Sequence, residues 1–241
     1  MIRLTGIVKR YGEHKVLNQL DLQIQDGEIF GIIGRKGSGK STLLSILATI
    51  VYPDEGEIVV NGFHYLKHRK KVKDIIGYVP QKLNLWENLT VWENLQFWNK
   101  FSGRNQDKKR LLHTLKAVGL EKHLTTRVNQ MSKGMQRKLH IAVSLIHDPE
   151  ILLLDEPVAG IDQQTKFEIY QLLKTLAGKN KTIVYVTSDL NELWYVCDRI
   201  GILKNGKIAY TGTIRETINE IDYNYDLQDD EDVMDLLTKE K

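Results

Sequence analysis

Nine consecutive residues carry the most sharply defined chemistry in this chain: Gly34-Arg35-Lys36-Gly37-Ser38-Gly39-Lys40-Ser41-Thr42. Glycine, four intervening residues, then Gly-Lys-Ser is a spacing that cradles phosphate. Gly34, Gly37 and Gly39 free the backbone to take positive φ, so successive N–H groups can aim into one concavity. A helix expected to begin near Lys40 adds the positive end of its dipole to the same spot. Lys40 is placed to reach the β and γ phosphates of a nucleoside triphosphate, and the Ser41 hydroxyl to ligate Mg2+. Context separates this from a chance glycine turn: residues 29–33 read as an apolar strand ahead of the loop, and 41–49 as a helix behind it. Arg35 and Lys36 add two cations inside the loop, which either strengthen the pull on phosphate or face solvent.

The elements that must hold this loop are legible in outline. Leu20, Leu22 and Ile24 alternate with polar residues, and Asp26-Gly27 turns the chain into the second apolar run. Residues 58–60 with Asn61-Gly62, and 201–204 with Asn205-Gly206 and 207–210, read as hairpins. From about 87 to 150 the period changes: Val91, Leu95 and Trp98, then Leu111, Leu115 and Val118, recur at helical spacing. Short buried-type strands at 151–154 and 182–186, with a helical stretch at 163–177 between them, signal a parallel sheet covered on both faces.

Composition bounds the class. The chain has 241 residues, 41% hydrophobic and 27% charged, as in an ordinary globular domain. Its apolar runs fall far short of the roughly 20 residues needed to span a bilayer, and no secretory leader is expected at the start. One cysteine, Cys197, excludes an internal disulfide and any Cys-cluster zinc site. His64 and His68, four apart, lack neighbouring acids and read as surface residues, as does the basic run 67–73. Charge is unevenly spread: residues 216–241 hold ten acids and two lysines, net −8, against +11 for the rest. That body suits phosphate ligands, anionic lipid or nucleic acid, and charge alone does not choose among them.

Further along, the residues resemble the nucleotide-binding subunits of ATP-binding cassette (ABC) transporters, over about 1–215. The resemblance implies an aromatic, Tyr11, stacked on adenine, and a glutamine, Gln81 in Gly77-Tyr78-Val79-Pro80-Gln81, touching Mg2+ and the attacking water. It implies that Ile151-Leu152-Leu153-Leu154-Asp155-Glu156 ends with Asp155 near the metal and Glu156 on the nucleophilic water. These two would point apart along a continuing strand, so the chain is expected to turn there. Asp162 would lie at a subunit contact. Met131-Ser132-Lys133-Gly134-Met135-Gln136 occupies the place of the family's Leu-Ser-Gly-Gly-Gln motif, 23 residues before Asp155. There Ser132 and Gly134 would meet the γ-phosphate held by a facing subunit, so that two ATP molecules join two domains head to tail. Lys133 and Met135 depart from the motif. So does Ser188, which stands where the family places a histidine on the γ-phosphate.

The resemblance thus implies an α/β fold: a RecA-like P-loop core, an N-terminal antiparallel β subdomain and a helical subdomain inserted at about 87–150, followed by an acidic tail at 216–241. It implies an ATPase using ATP and Mg2+, driving export by a membrane permease on a separate chain. The protein would sit in the cytoplasm, peripheral on the inner face of the membrane, as a homo- or heterodimer with a second ATPase domain. No nucleic acid is expected. Trp86, Trp92 and Trp98 would form a permease-docking surface, or Trp92 and Trp98 would be core of the insertion. Two rival readings stay open: a cassette ATPase acting in DNA repair or translation, and a non-catalytic ATP-gated regulatory subunit.

Overall fold

In the computed structural model the described residues are 1–103, 105–222 and 234. The chain opens with β1 (Ile2–Tyr11) and β2 (His14–Ile24), antiparallel partners joined through the turn at Gly12. β3 (Ile29–Ile33) then enters the second sheet and leads through the glycine loop into α1 (Lys40–Leu47). The hairpin β4 (Glu55–Val60) and β5 (Phe63–His64) completes the first sheet, in the order β2-β1-β4-β5. After α2 (Arg69–Ile75) comes β6 (Ile76–Val79), and then the helical insertion: α3 (Val91–Phe101), α4 (Lys108–Ala117) and α5 (Lys133–Leu145). β7 (Ile151–Asp155), α6 (Gln163–Ala177), β8 (Thr182–Thr187), α7 (Leu190–Val196) and the hairpin β9 (Arg199–Lys204) and β10 (Lys207–Thr213) follow. The last described helix is α8 (Ile214–Asp222), which runs across the expected boundary at 215.

The second sheet has the order β10-β9-β3-β8-β7-β6, parallel except for β10 at its edge. Its central strands are buried at every position because both faces are covered. On β3, Ile29 and Ile33 join one core cluster while Phe30 and Ile32 join the other. Leu152 and Leu154 likewise face α5 and α6, whereas Ile151 and Leu153 face α1 and the antiparallel sheet. A period-2 strand buried on both sides must alternate in this way.

Local chemistry sets the helix starts. Thr90 and Glu93 form a reciprocal capping box at α3, with Thr90 N–H donating to Glu93 Oε2 at 2.8 Å. Asp107, Ser132, Asp162 and Asp189 cap α4, α5, α6 and α7 with side-chain oxygens. The basic run around α2 is a solvated face, with only Val72 of that helix buried. No described helix is long and apolar enough to cross a membrane. Of the acidic tail, residues 223–233 and 235–241 lie outside the described residues.

Candidate functional site

Two of the three loop glycines take the expected positive φ, and Gly34 does not. Gly37 has φ +85° and Gly39 φ +106°, a region L side chains rarely adopt. At Gly34 the constraint is space instead, since a Cβ there would lie 2.4 Å from the carbonyl oxygen of Leu203. Gly39 is the N-cap of α1 and offers no side chain, so nothing in the cap consumes the first-turn N–H groups. Lys40 is buried and folds back, its Nζ donating to the carbonyls of Gly34 and Arg35, the latter at 3.2 Å. Burial pushes its pKa down, and the carboxylates of Glu156 and Asp155 oppose that shift.

Opposite the loop, β7 ends at Asp155 and the chain turns sharply, with Glu156 at φ +47°. A glutamate pays for left-handed backbone only where surroundings hold it, and here its N–H donates to the Val186 carbonyl at 2.9 Å on β8. The turn aims both acids at the same space. Asp155 is 3% exposed; burial raises its pKa, while a hydrogen bond from Ser41 lowers it. Glu156 Oε1 accepts from Ser188 Oγ at 3.0 Å. The residue standing in for the expected histidine thus contacts the carboxylate that would handle water.

A cavity of about 580 Å³ lies between these groups. Lys36, Gly37, Gly39, Lys40, Ser41 and Thr42 line it from the loop side. Gln81, Asp155, Glu156 and Ser188 line it from the strand ends, and Tyr11 stands at its mouth, 51% exposed. Gly34, Arg35 and Ser38, grouped with the loop in the sequence, line an adjoining groove on the loop's other side. Ser38 N–H donates to the Arg35 carbonyl at 3.0 Å, which closes the turn.

Ser132 and Gly134 are elsewhere, at the start of α5. Ser132 is exposed and its Oγ accepts from Met135 N–H at 3.2 Å, so it caps its own helix. Gly134 is buried against α6, where a Cβ would come within 2.6 Å of Thr165 Cγ2. Asp162 accepts from Thr165 N–H at 2.9 Å and Thr165 Oγ1 at 2.8 Å, which commits it to the cap of α6. Neither Ser132 nor Gly134 reaches the cavity of its own chain.

Several contributors escaped sequence reasoning. His14 and Val16 line the cavity because β1 pairs with β2 and sets His14 across from Tyr11. Arg137, buried on α5, donates to the Gln81 carbonyl at 3.1 Å and ties the helical insertion to that loop. Only the Gly12 turn signalled the first pair; nothing local to Arg137 marked it.

The residues fit nucleoside triphosphate and Mg2+. At Gly37 a Cβ would meet nothing within 4 Å, so the turn opens onto free space, and Lys40 and Ser41 line the cavity beside it. Among the described residues no group of three His, Cys, Asp or Glu could hold a metal alone. Mg2+ needs none, since it keeps waters and phosphate oxygens and takes one or two protein ligands. Ser41 beside Asp155 is such a pair.

The ABC transporter family model matches residues 17–159. The linearmycin resistance ATP-binding protein LnrL of Bacillus subtilis is 37% identical over 88% of this chain and 69% of its own length. The ABC transporter ATP-binding protein NatA of the same organism is 33% identical over 94% of this chain and 95% of its own. Among solved structures, the dimeric cassette MJ0796 bound to ADP and Pi is similar at TM-score 0.79 and 34% identity, covering 89% of this chain and 99% of that one.

Proposed function

This chain belongs to the ABC transporter family as an ATP-binding subunit, and from that premise we propose that it powers export through a membrane permease carried on a separate polypeptide. As a family member it binds and hydrolyses ATP. The observation that carries the mechanistic reading is the single cavity shared by Lys40, Ser41, Asp155, Glu156 and Ser188. Lys40 and the N–H groups of the loop hold the phosphates, and Tyr11 offers its ring to the base. Mg2+, held by Ser41 and Gln81 and by Asp155, would neutralise charge on the β and γ phosphates. Glu156 positions a water in line with the γ-phosphate and accepts its proton. Ser132 and Gly134 complete the site of a second cassette, copy or homologue, across a head-to-tail dimer.

Export is supported by the names of relatives at a third identity or more, the linearmycin resistance protein and the Nod factor export ATP-binding protein I of Rhizobium etli. A permease-facing surface is supported by the aromatic face of α3: Trp86 is 54% exposed and packs edge-on against Phe97, which stacks on Phe101. Asn94, fully buried, bonds both the N–H and the carbonyl of Trp86 and fixes it there. Trp92 and Trp98 pack instead against the core. Such a subunit is peripheral, held on the inner membrane face by its permease.

Ser188 stands where the resemblance places a histidine on the γ-phosphate. It bonds Glu156 but is too short to hold the carboxylate and reach the γ-phosphate together, and it carries no positive charge at neutral pH. Losing one aimed donor to transition-state charge costs about 10²–10³ in rate. The isolated chain should therefore hydrolyse ATP slowly, and Ser188→His should raise kcat by about 10². An ordinary transporter rate in the unmodified chain, left unchanged by Ser188→His, defeats this reading.

A further inference from the structure

Glu192 is a buried carboxylate that the hydrolysis scheme leaves unused. It sits in the first turn of α7, but Asp189 already caps that helix, accepting from Asn191 N–H at 2.9 Å. The partners of Glu192 lie outside α7. Its Oε2 accepts from the Tyr185 hydroxyl at 2.9 Å and from Thr187 Oγ1 at 2.8 Å, both on β8. Its Oε1 accepts from Lys166 Nζ of α6 at 3.1 Å. Burial, with the Glu192 carboxylate adding to it, raises the Tyr185 hydroxyl well above its ordinary pKa, so it stays a donor. A buried carboxylate and its cation are seldom the best way to fill a core, because apolar side chains of the same volume do as well or better. The cluster therefore asks for a reason beyond packing.

That reason lies at the end of β8, beside the nucleotide cavity. Thr187 Oγ1 donates its proton to Glu192 and accepts from Asp189 N–H at 3.1 Å. One hydroxyl thus ties together the residues on either side of Ser188. From inside this bracket Ser188 Oγ reaches Glu156 Oε1 at 3.0 Å. One residue earlier the Val186 carbonyl accepts Glu156 N–H, so the same strand end supports both the backbone and the side chain of that glutamate. We propose that Glu192 is a positioning residue for ATP hydrolysis, acting through Thr187 to hold Ser188 against Glu156. Without its acceptor the Thr187 side chain is free to leave the rotamer that receives Asp189 N–H, and Ser188 loses its fixed aim. Lys166 holds the other carboxylate oxygen from α6, so Glu192 is gripped from two elements and does not swing away from Thr187. The proposal rests on the reading of Glu156 as the residue that handles water.

The test uses the full chain with Glu192→Gln, and with Thr187→Val and Thr187→Ser as a second pair should the first variant fail to fold. Glu192→Gln and Thr187→Val should each lower kcat by roughly tenfold or more, with KM and calorimetric affinity for ATP and Mg2+ unchanged. Thr187→Ser, which keeps the hydroxyl, should retain kcat within about threefold. In a Ser188→Ala background, Glu192→Gln should cost less than about a further twofold, because residues acting as one unit are not additive. A readout that needs no nucleotide accompanies these: amide exchange at Asp189 should quicken by roughly tenfold in Glu192→Gln and in Thr187→Val, while Val184 within β8 keeps its rate. A fall in affinity with kcat intact, equal losses in Thr187→Ser and Thr187→Val, or a full loss on top of Ser188→Ala would overturn the proposal. So would an unchanged Asp189 amide. If the unmodified chain binds no ATP, it is the nucleotide reading that fails, and Asp189 exchange still shows whether Glu192 holds the bracket.

Discussion

Two helices in this molecule begin with an anion-binding aspect, and they are built oppositely. α1 starts from Gly39 in left-handed backbone with no side-chain cap, and its first turn faces a cavity closed by Asp155 and Glu156. α5 starts from Ser132, whose hydroxyl already satisfies Met135 N–H, and its first turn faces outward with Gly134 locked against Thr165. Uncapped N–H groups at a helix start must find a partner, in water or in a ligand. α1 leaves that demand for a phosphate, and α5 has met part of it internally. On the proposed reading, the first is the part of the site that one chain supplies, and the second would meet a ligand held by another.

The largest effect that would break this contrast is at α1. Lys40→Ala should reduce ATP turnover by about 10³ or more, because the cation spanning the β and γ phosphates contributes in both ground and transition states. Steady-state hydrolysis together with calorimetric ATP binding checks it; retained affinity in that variant would undo the assignment of the loop.

Next comes the interior of α5. His140 is buried with Nδ1 unpartnered, and burial, with Arg137 adding repulsion, lowers its pKa to about 4. The unfolded chain takes up this proton near pH 6.5 while the folded chain resists until about 4, so stability is present above the higher value and is lost as pH falls through that window. The loss should be on the order of 3 kcal/mol between pH 7 and 4. Denaturant unfolding against pH, with and without His140→Gln, measures it, and the variant should show a flatter profile.

The smallest expected effect lies at the start of α5. Ser132→Ala removes a side-chain cap and should lower stability by about 1 kcal/mol. At α1, by contrast, there is no side-chain cap to remove. Chemical denaturation of the monomer gives the number, and no change would mean that Ser132 is not spent on its own helix.

The same contrast explains what could be read in advance. The loop was legible because its chemistry is contiguous: glycines, lysine and serine dictate conformation and function within nine residues. The buried strands were legible because a parallel sheet covered twice leaves uniform apolar runs at 151–154 and 182–186. The turn that brings Asp155 and Glu156 together was anticipated, and it appears as the positive φ of Glu156. His14, Val16 and Arg137 were not legible, since their roles arise from a strand pairing and from a hydrogen bond between residues 56 apart.

Amide hydrogen exchange at two protein concentrations tests the central contrast most directly. In dilute chain, ATP with Mg2+ should slow exchange at Gly37, Gly39, Lys40 and Ser41 while residues 133–135 keep their apo rates, gaining protection only once concentration permits pairing of cassettes. Protection of both helix starts with one affinity in the dilute monomer, or none at the loop, would contradict the account.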